Sequence, residues 1–203
     1  MRLPADAACA AELARWLDLA RPAVVRRHEP GLGAAEVALG VPLPPARGGT
    51  RIAFAAEAAA LARVAAPLGL RDAIRAAPCA WRAPLAELTA EARAAGLVLR
   101  VHGSLAWQAL TGDAYLRDGS DVDLLVPARG AAAVARALAL LGRWASRAPP
   151  PLDGELVVAA GGVAWRELLA APARVLLKGD DGVSLVPLEE VLGPRPARAG
   201  GEP

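Results

Sequence analysis

A Gly-Ser pair and an Asp-x-Asp pair lie close together in residues 103–125, GSLAWQALTGDAYLRDGSDVDLL. The apolar residues around the second pair predict a β-strand. Side chains alternate between the two faces of a strand, so Asp121 and Asp123 point the same way while Val122 and Leu124 point into the core. The two carboxylates start about 7 Å apart, because a strand rises ~3.3 Å per residue. Such a pair can converge on one Mg²⁺ or bridge two ions about 4 Å apart.

Gly103 and Ser104 precede a predicted helix over residues 105–110. Glycine lets the backbone approach a phosphate because it has no Cβ, and Ser104 offers a hydroxyl and a free N–H at the start of the helix. Each motif alone has an ordinary interpretation, since Gly-Ser is a common helix cap and Asp-x-Asp is often a solvated strand edge. Together they predict a triphosphate-binding site, because two like charges at the end of an apolar strand repel each other unless a cation joins them.

The apolar pattern on either side of this stretch predicts an α/β fold. Residues 81–193 form the predicted catalytic domain, in which Pro84 starts a helix and Gly161-Gly162 turn the chain. Residues 1–80 predict a small α-β-β-α lobe. Asp6 caps its first helix, and its second helix runs from Thr50 to about residue 66. Residues 179–182 predict a hairpin turn, and residues 194–203 predict a flexible tail.

Composition excludes several classes of protein. The chain has 203 residues, a formal net charge of +2 and 22% charged residues, so it is neither a disordered tail nor a strongly basic protein that binds nucleic acid. Two isolated cysteines and two histidines predict neither a disulfide framework nor a zinc site. No uncharged apolar run reaches the ~20 residues of a membrane span, and the charged N-terminus does not resemble a secretory signal. We therefore expect a cytoplasmic protein without a membrane anchor.

The arrangement of the two motifs resembles the nucleotidyltransferase superfamily, and this resemblance implies a nucleotidyltransferase-like mixed sheet flanked by helices. In that superfamily the gap between the motifs is shorter than the sixteen residues that separate Ser104 from Asp121. The residues inside the longer gap resemble the phosphoribosyl-dephospho-CoA transferase family, also called malonate decarboxylase holo-acyl-carrier-protein synthase. The resemblance rests on Gly103, Ser104, Trp107, Gln108, Leu110–Gly112, Tyr115, Leu116, Ser120, Asp121 and Asp123–Leu125. Weaker similarity extends over most of the chain, at Pro22–Arg27, Val37–Gly40, Arg51, Gly161–Leu169 and Val175–Lys178.

This resemblance implies transfer of a phosphoribosyl-dephospho-CoA group from triphosphoribosyl-dephospho-CoA to a serine of the apo acyl carrier subunit of malonate decarboxylase, with release of pyrophosphate. It also implies a third carboxylate on a neighbouring strand, where the matching residues are Asp153-Gly154-Glu155. Asp153 is the expected third Mg²⁺ ligand beside Asp121 and Asp123, and Glu155 is the alternative; a polar loop is the ordinary interpretation of these residues. Gly154 departs from the family pattern, and glycine weakens a strand and leaves its register open.

Other candidate site residues have two interpretations each. Lys178, the only lysine, ends a predicted strand and either reaches a pyrophosphate leaving group or forms the solvated base of a hairpin. Gln108 and Trp107 are candidates to bind the adenine or pantetheine arm of the donor, although Trp107 also fits a core position. His102 and His28 are predicted to be packed side chains.

Two other functions fit the same residues. A generic small nucleotidyltransferase would transfer AMP or another nucleotide to a protein or small molecule and would use ordinary ATP. A non-catalytic module with this fold would dock a carrier protein without turnover. Arg26 and Arg27 fit an acidic carrier surface, although an ordinary solvated face is the favoured interpretation of this pair.

Overall fold

The computed structural model describes residues 1–4, 6–27, 29–147, 150–179 and 182–192. These residues form two sheets, each with its own hydrophobic core. His28, the turn residues Asp180 and Asp181, and the predicted tail lie outside the described residues. None of the helices in the described ranges combines the length and the apolar character that a membrane span requires.

The N-terminal unit contains one helix and three antiparallel strands, namely α1 (Ala7–Asp18), β1 (Val24–Val25), β2 (Glu36–Pro42) and β3 (Arg51–Glu57). Asp6 caps α1 as predicted, because its Oδ1 accepts a hydrogen bond of 2.9 Å from the N–H of Cys9. Leu13 and Trp16 of α1 are fully buried against the inner face of the sheet. The unit is therefore one helix packed on one sheet face.

The predicted helix from Thr50 to residue 66 is wrong, because β3 and a 3-10 turn at Ala58–Ala60 occupy this stretch. Ile52 and Phe54 alternate with an exposed residue, and both reach the core from one face of the strand. β3 pairs with the whole of β2, and this pairing outweighs the helix propensity of the alanines around it. The lobe is α-β-β-β rather than α-β-β-α.

The second unit is a six-stranded mixed sheet with the order β4-β5-β6-β7-β8-β9. Its strands are β4 (Arg100–Val101), β5 (Val122–Pro127), β6 (Leu152–Val158), β7 (Gly161–Ala164), β8 (Arg174–Gly179) and β9 (Gly182–Pro187). Its helices are α2 (Leu70–Ala73, extended by a 3-10 turn at Ile74–Ala76), α3 (Cys79–Ala94), α4 (Gly103–Thr111), α5 (Ala131–Ala145), α6 (Trp165–Leu169) and α7 (Leu188–Leu192). Strands β5 and β6 run parallel, and the other neighbours in the sheet run antiparallel. The predicted α/β fold with a mixed sheet is confirmed.

The two faces of this sheet differ. One face is buried in the core together with the helices, through Val122, Leu124, Val126, Leu152, Leu156 and Val163. On the opposite face, the register places Asp123 of β5 beside Asp153 of β6, and Glu155 lies two residues further on. The same face continues across Gly162 of β7 to Lys178 of β8, because these two residues are direct partners. The sheet therefore gathers the predicted site residues of three strands on one open face.

Two predicted element boundaries in this unit are wrong. Helix α3 begins at Cys79, so Pro84 lies inside the helix instead of starting it. Proline leaves the carbonyl of Ala80 without its helical donor, and the helix tolerates this because Ala80 is exposed and water can bind its carbonyl. Gly161 and Gly162 begin β7 instead of turning the chain. A Cβ on Gly161 would overlap the backbone of β8, so glycine allows the two strands to approach.

The segment before α3 packs with the second unit, although the sequence placed it in the first lobe. Leu70, Ala73 and Ala77 are buried in the larger core. The backbone of Gly69 also forms a bridge to Arg100 of β4. The change from one core to the other therefore occurs before residue 70.

Candidate active site

Three carboxylates meet at the start of β5 and β6. Asp121 directly precedes β5, Asp123 is its second residue, and Asp153 is the second residue of β6. One oxygen from each side chain lies within 4.8 Å of the others. We call these three residues the carboxylate cluster. Two of them are partly buried and Asp153 is exposed, so the cluster opens to solvent on one side.

The cluster concentrates negative charge in a partly dehydrated place. Burial raises the pKa of the Asp123 carboxyl, and the charges of Asp121 and Asp153 raise it further. His102 and Arg51 act in the opposite direction, but the pKa of Asp123 stays above its ordinary value. Carboxylate oxygens are hard ligands of the kind that Mg²⁺ prefers, and a divalent cation would relieve this repulsion. The donor set therefore fits Mg²⁺.

The N-terminus of α4 lies directly against the cluster. Gly103 has φ +61°, and a Cβ at this position would overlap the Asp123 carboxylate. The N–H of His102 donates to the carbonyl of Asp123 at 3.1 Å, which ties the start of α4 to β5. Ser104 is in the first turn of α4, and no hydrogen bond of its hydroxyl occurs among the described residues. Glycine thus brings the free N–H groups of the first turn beside the carboxylates, which is the arrangement that an anion and a cation need together.

Asp153, and not its alternative Glu155, lies in the cluster. The Oε1 of Glu155 is 2.5 Å from the Nζ of Lys178, and both groups are partly exposed. Gly162 makes room for this pair, since a Cβ there would overlap the Oε2 of Glu155. Lys178 is therefore an ion-pair partner on the open face, further along the same face from Asp153. Its predicted contact with pyrophosphate stays a prediction.

Gln108, predicted to bind the donor, has its amide engaged within the protein. Its Nε2 donates to the carbonyl of Ala76 at 2.7 Å, and its Oε1 accepts from the N–H groups of Tyr115 and Leu116 at 3.0 and 3.1 Å. These bonds fix the loop that leads into Asp121. The side chain positions the loop, and these bonds use its carbonyl oxygen and one of the two hydrogens on Nε2.

Trp107 and His102 both lie in the packed positions that were their ordinary interpretation. Trp107 contacts Trp16 edge to face, with ring centroids 5.7 Å apart, so it belongs to the core between the two units. His102 is half-buried, and its Nε2 has no hydrogen-bond partner within the part of the chain that the structure describes.

The sequence alone assigned no role to two arginines near the cluster. The Nε of Arg166 is 4.0 Å from the Oδ1 of Asp153, and its Nη2 donates to the carbonyl of Leu152 at 2.8 Å. Arg51 comes from the other unit, and its charge acts on Asp123. Both residues lie in segments with weak family similarity, and this was the one signal that could have drawn attention to them.

Comparison with known proteins gives the family of the chain. The chain matches the family model described as Phosphoribosyl-dephospho-CoA transferase MdcG C-terminal domain over residues 69–189, and the N-terminal domain model of the same family over residues 2–67. The chain belongs to this family. It is 40% identical over 176 residues to the phosphoribosyl-dephospho-CoA transferase of Xanthomonas campestris pv. campestris (strain 8004), an alignment that covers 86% of this chain and 83% of the relative. The protein of that name from Bradyrhizobium diazoefficiens is 39% identical over 182 residues, covering 89% of this chain and 80% of the relative. No solved structure matches the chain.

Membership of the phosphoribosyl-dephospho-CoA transferase family makes the chain a transferase, which confirms the predicted family and the predicted enzyme class. The carboxylate cluster and the N-terminus of α4 lie within the stretch that matches the C-terminal domain of the family. Arg51 lies within the stretch that matches the N-terminal domain.

Proposed function

We propose that this chain transfers phosphoribosyl-dephospho-CoA from triphosphoribosyl-dephospho-CoA to a serine of the apo acyl carrier subunit of malonate decarboxylase, with Mg²⁺ as cofactor and pyrophosphate as leaving group. Membership of the family supports the transferred group. The observation that carries the chemistry is the carboxylate cluster against the N-terminus of α4, with oxygens within 4.8 Å of one another.

The cluster and the helix terminus suit the two charges of a metal–triphosphate. Asp121, Asp123 and Asp153 would hold the cation, and Mg²⁺ when bound would neutralise the negative charge of the phosphates and of the departing pyrophosphate. The first-turn N–H groups of α4 and the hydroxyl of Ser104 donate to phosphate oxygens. Because Gly103 has no side chain, the phosphates can approach that turn.

The proton of the carrier serine is transferred on the exposed side of the cluster. The serine oxygen of the carrier forms a bond to the α-phosphorus, and the bond from that phosphorus to the bridging oxygen of pyrophosphate breaks. A carboxylate oxygen of Asp153 accepts the serine proton, because Asp153 is the exposed member of the cluster and the incoming carrier reaches it first. Lys178 lies on the same open face, where its ammonium can exchange Glu155 for a pyrophosphate oxygen.

Transfer can be measured by mass spectrometry of the carrier. Purified protein, Mg²⁺, triphosphoribosyl-dephospho-CoA and apo carrier are mixed, and the mass of the prosthetic group is sought on the carrier. We expect Asp121→Asn and Asp123→Asn each to slow transfer by at least about a hundredfold, because each removes one of three charged ligands.

The matched control is Asp118→Asn, which removes an exposed carboxylate from the same loop and leaves the cluster intact. Asp118→Asn should transfer at the wild-type rate. Wild-type transfer by Asp121→Asn or Asp123→Asn would refute the cluster as the active site. Labelling of the carrier by AMP from ATP, without the CoA-derived donor, would instead identify a generic nucleotidyltransferase.

A further inference from the structure

Arg166 lies beside the exposed member of the carboxylate cluster. Its Nε is 4.0 Å from the Oδ1 of Asp153, and the two side chains are 53% and 51% exposed, so both reach solvent. Within the described ranges, this is the one ion pair that includes a residue of the cluster. The guanidinium of Arg166 is therefore the described cation that lies within ion-pair distance of the site.

The guanidinium of Arg166 is held by contacts that do not involve the cluster. Its Cζ lies 4.5 Å from the centroid of the Trp165 ring, and Trp165 is fully buried. Its Nη2 donates to the carbonyl of Leu152 at 2.8 Å. The aromatic ring and the backbone carbonyl keep the guanidinium in place when Asp153 turns toward a cation. A group that is positioned in advance loses little conformational freedom when a ligand binds.

Arg166 keeps most of its hydrogen-bond donors for a ligand. A guanidinium has five N–H donors, and one of them is used by Leu152. The distance of 4.0 Å from Nε to Asp153 is too long for a hydrogen bond, and Nη1 makes none with the residues that the structure describes. A cation bound by the cluster would repel this guanidinium unless an anion lay between them. The arrangement therefore suits an anion that binds together with the cation.

The order of the strands indicates which part of the donor this anion is. Helix α4 meets the cluster at Asp123 of β5, whereas Arg166, which follows β7, meets it at Asp153 of β6. The two anion-binding groups therefore lie on opposite sides of the cluster. In the proposed reaction Asp153 accepts the proton of the carrier serine, so the phosphorus that the serine attacks lies beside Asp153. Arg166 lies beside the same carboxylate.

We infer that Arg166 binds the α-phosphate of the donor, the group that is transferred to the carrier; this inference rests on the proposed function. A planar guanidinium donates two parallel hydrogen bonds to phosphate oxygens, which an ammonium or an amide does not. The non-bridging oxygens of the attacked phosphate share the negative charge of the transition state. A fixed cation beside them stabilises that state more than the bound donor, so Arg166 acts mainly on kcat.

The test measures transfer to the carrier by mass spectrometry, with the full chain and a range of donor concentrations. We expect Arg166→Gln to lower kcat by at least about a hundredfold and to change KM for the donor by less than about threefold. Arg166→Lys keeps the charge without the paired donors and should recover about tenfold of this loss.

The matched control is Arg147→Gln. The guanidinium of Arg147 also lies over a tryptophan, 4.3 Å from the ring centroid of Trp144, and it pairs with Glu87 and Glu91. None of these described contacts involves the cluster, so Arg147→Gln should transfer at the wild-type rate. Any loss caused merely by removal of a stacked arginine would appear in this variant as well.

Titration calorimetry with Mg²⁺ alone separates phosphate binding from damage to the cluster. Arg166→Gln removes a positive charge beside Asp153, so its affinity for Mg²⁺ should equal or exceed that of the wild type. Weaker Mg²⁺ binding would overturn the inference, because Arg166 would then act by holding Asp153 in place. A wild-type kcat in Arg166→Gln would overturn it too, and the proposed function would remain if Asp123→Asn is inactive. Absence of transfer by the wild type would refute the proposed function itself.

Discussion

Replacement of Gly103 by alanine should damage the active site far more than the fold. Gly103 has φ +61°, and its hydrogen atoms face the carboxylate of Asp123. A Cβ on residue 103 would lie 2.8 Å from the Cγ of Asp123. Since carbon atoms pack at about 3.5–4.0 Å, the carboxylate must retreat by about 1 Å.

The substitution is expected to lower the stability slightly and the transfer rate strongly. A left-handed backbone costs alanine about 1–2 kcal/mol, which lowers the melting temperature of a chain of this length by about 2–8 °C. A displacement of about 1 Å in a catalytic group can reduce the rate about a hundredfold. We therefore expect a folded Gly103→Ala protein with a transfer rate reduced by about that factor.

The chain offers a control at the other end of the same helix. Gly112 caps α4 with φ +77°, and a Cβ there meets no atom within 4 Å. Gly112→Ala therefore carries the same kind of backbone strain without contact to Asp123. Melting temperature by circular dichroism and carrier modification by mass spectrometry are measured for both variants. Equal transfer rates for Gly103→Ala and Gly112→Ala would refute the claim that Gly103 makes room for the carboxylate.

Two further predictions concern stability. The pKa of Asp123 is higher in the folded protein than in the unfolded chain, so protonation of Asp123 stabilises the fold. This contribution to stability is complete below about pH 4 and is lost as the pH rises through the raised pKa. In EDTA, Asp123→Asn should therefore melt above the wild type at pH 7 but not near pH 3, and equal melting temperatures at pH 7 would contradict this. Gly154→Ala should lower the free energy of unfolding by at least about 3 kcal/mol in urea titrations, because Gly154 has φ +118° and a Cβ would overlap the backbone of Leu124. A loss below about 1 kcal/mol would show that the strands separate easily.

The pair Asp121 and Asp123 could be found from the sequence because its signal is local. Alternation along a strand fixes which side chains share a face, and the Gly-Ser pair lies close by in the chain. Asp153 is different. Its place depends on which strand lies beside β5 and in which register, and the residues alone left that open between Asp153 and Glu155. The family resemblance supplied the candidates, and the parallel pairing of Asp123 with Asp153 places the latter in the cluster.

The error in the first lobe has a similar cause. Residues 51–60 contain six alanines, and alanine favours a helix when no other strand competes. Ile52 and Ala56 suit one face of a helix, and Ile52 and Phe54 suit one face of a strand, so the apolar pattern did not decide. The partner strand β2 decided it, and that partner is a property of the folded unit. The strand also pairs Arg51, its first residue, with Pro42, whose carbonyl accepts a hydrogen bond from Tyr115 in the loop before β5.

Gly154 shows how a local rule can fail at a functional site. Glycine inside a strand removes a side chain from the core and widens the choice of backbone conformation, so it indicates a weak strand. In the structure Gly154 is buried and its register with Leu124 is regular. With its positive φ, any larger residue would push β6 away from β5, and Asp153 would move with the strand. The glycine that weakens the strand in isolation is therefore the residue that lets Asp153 lie beside Asp123.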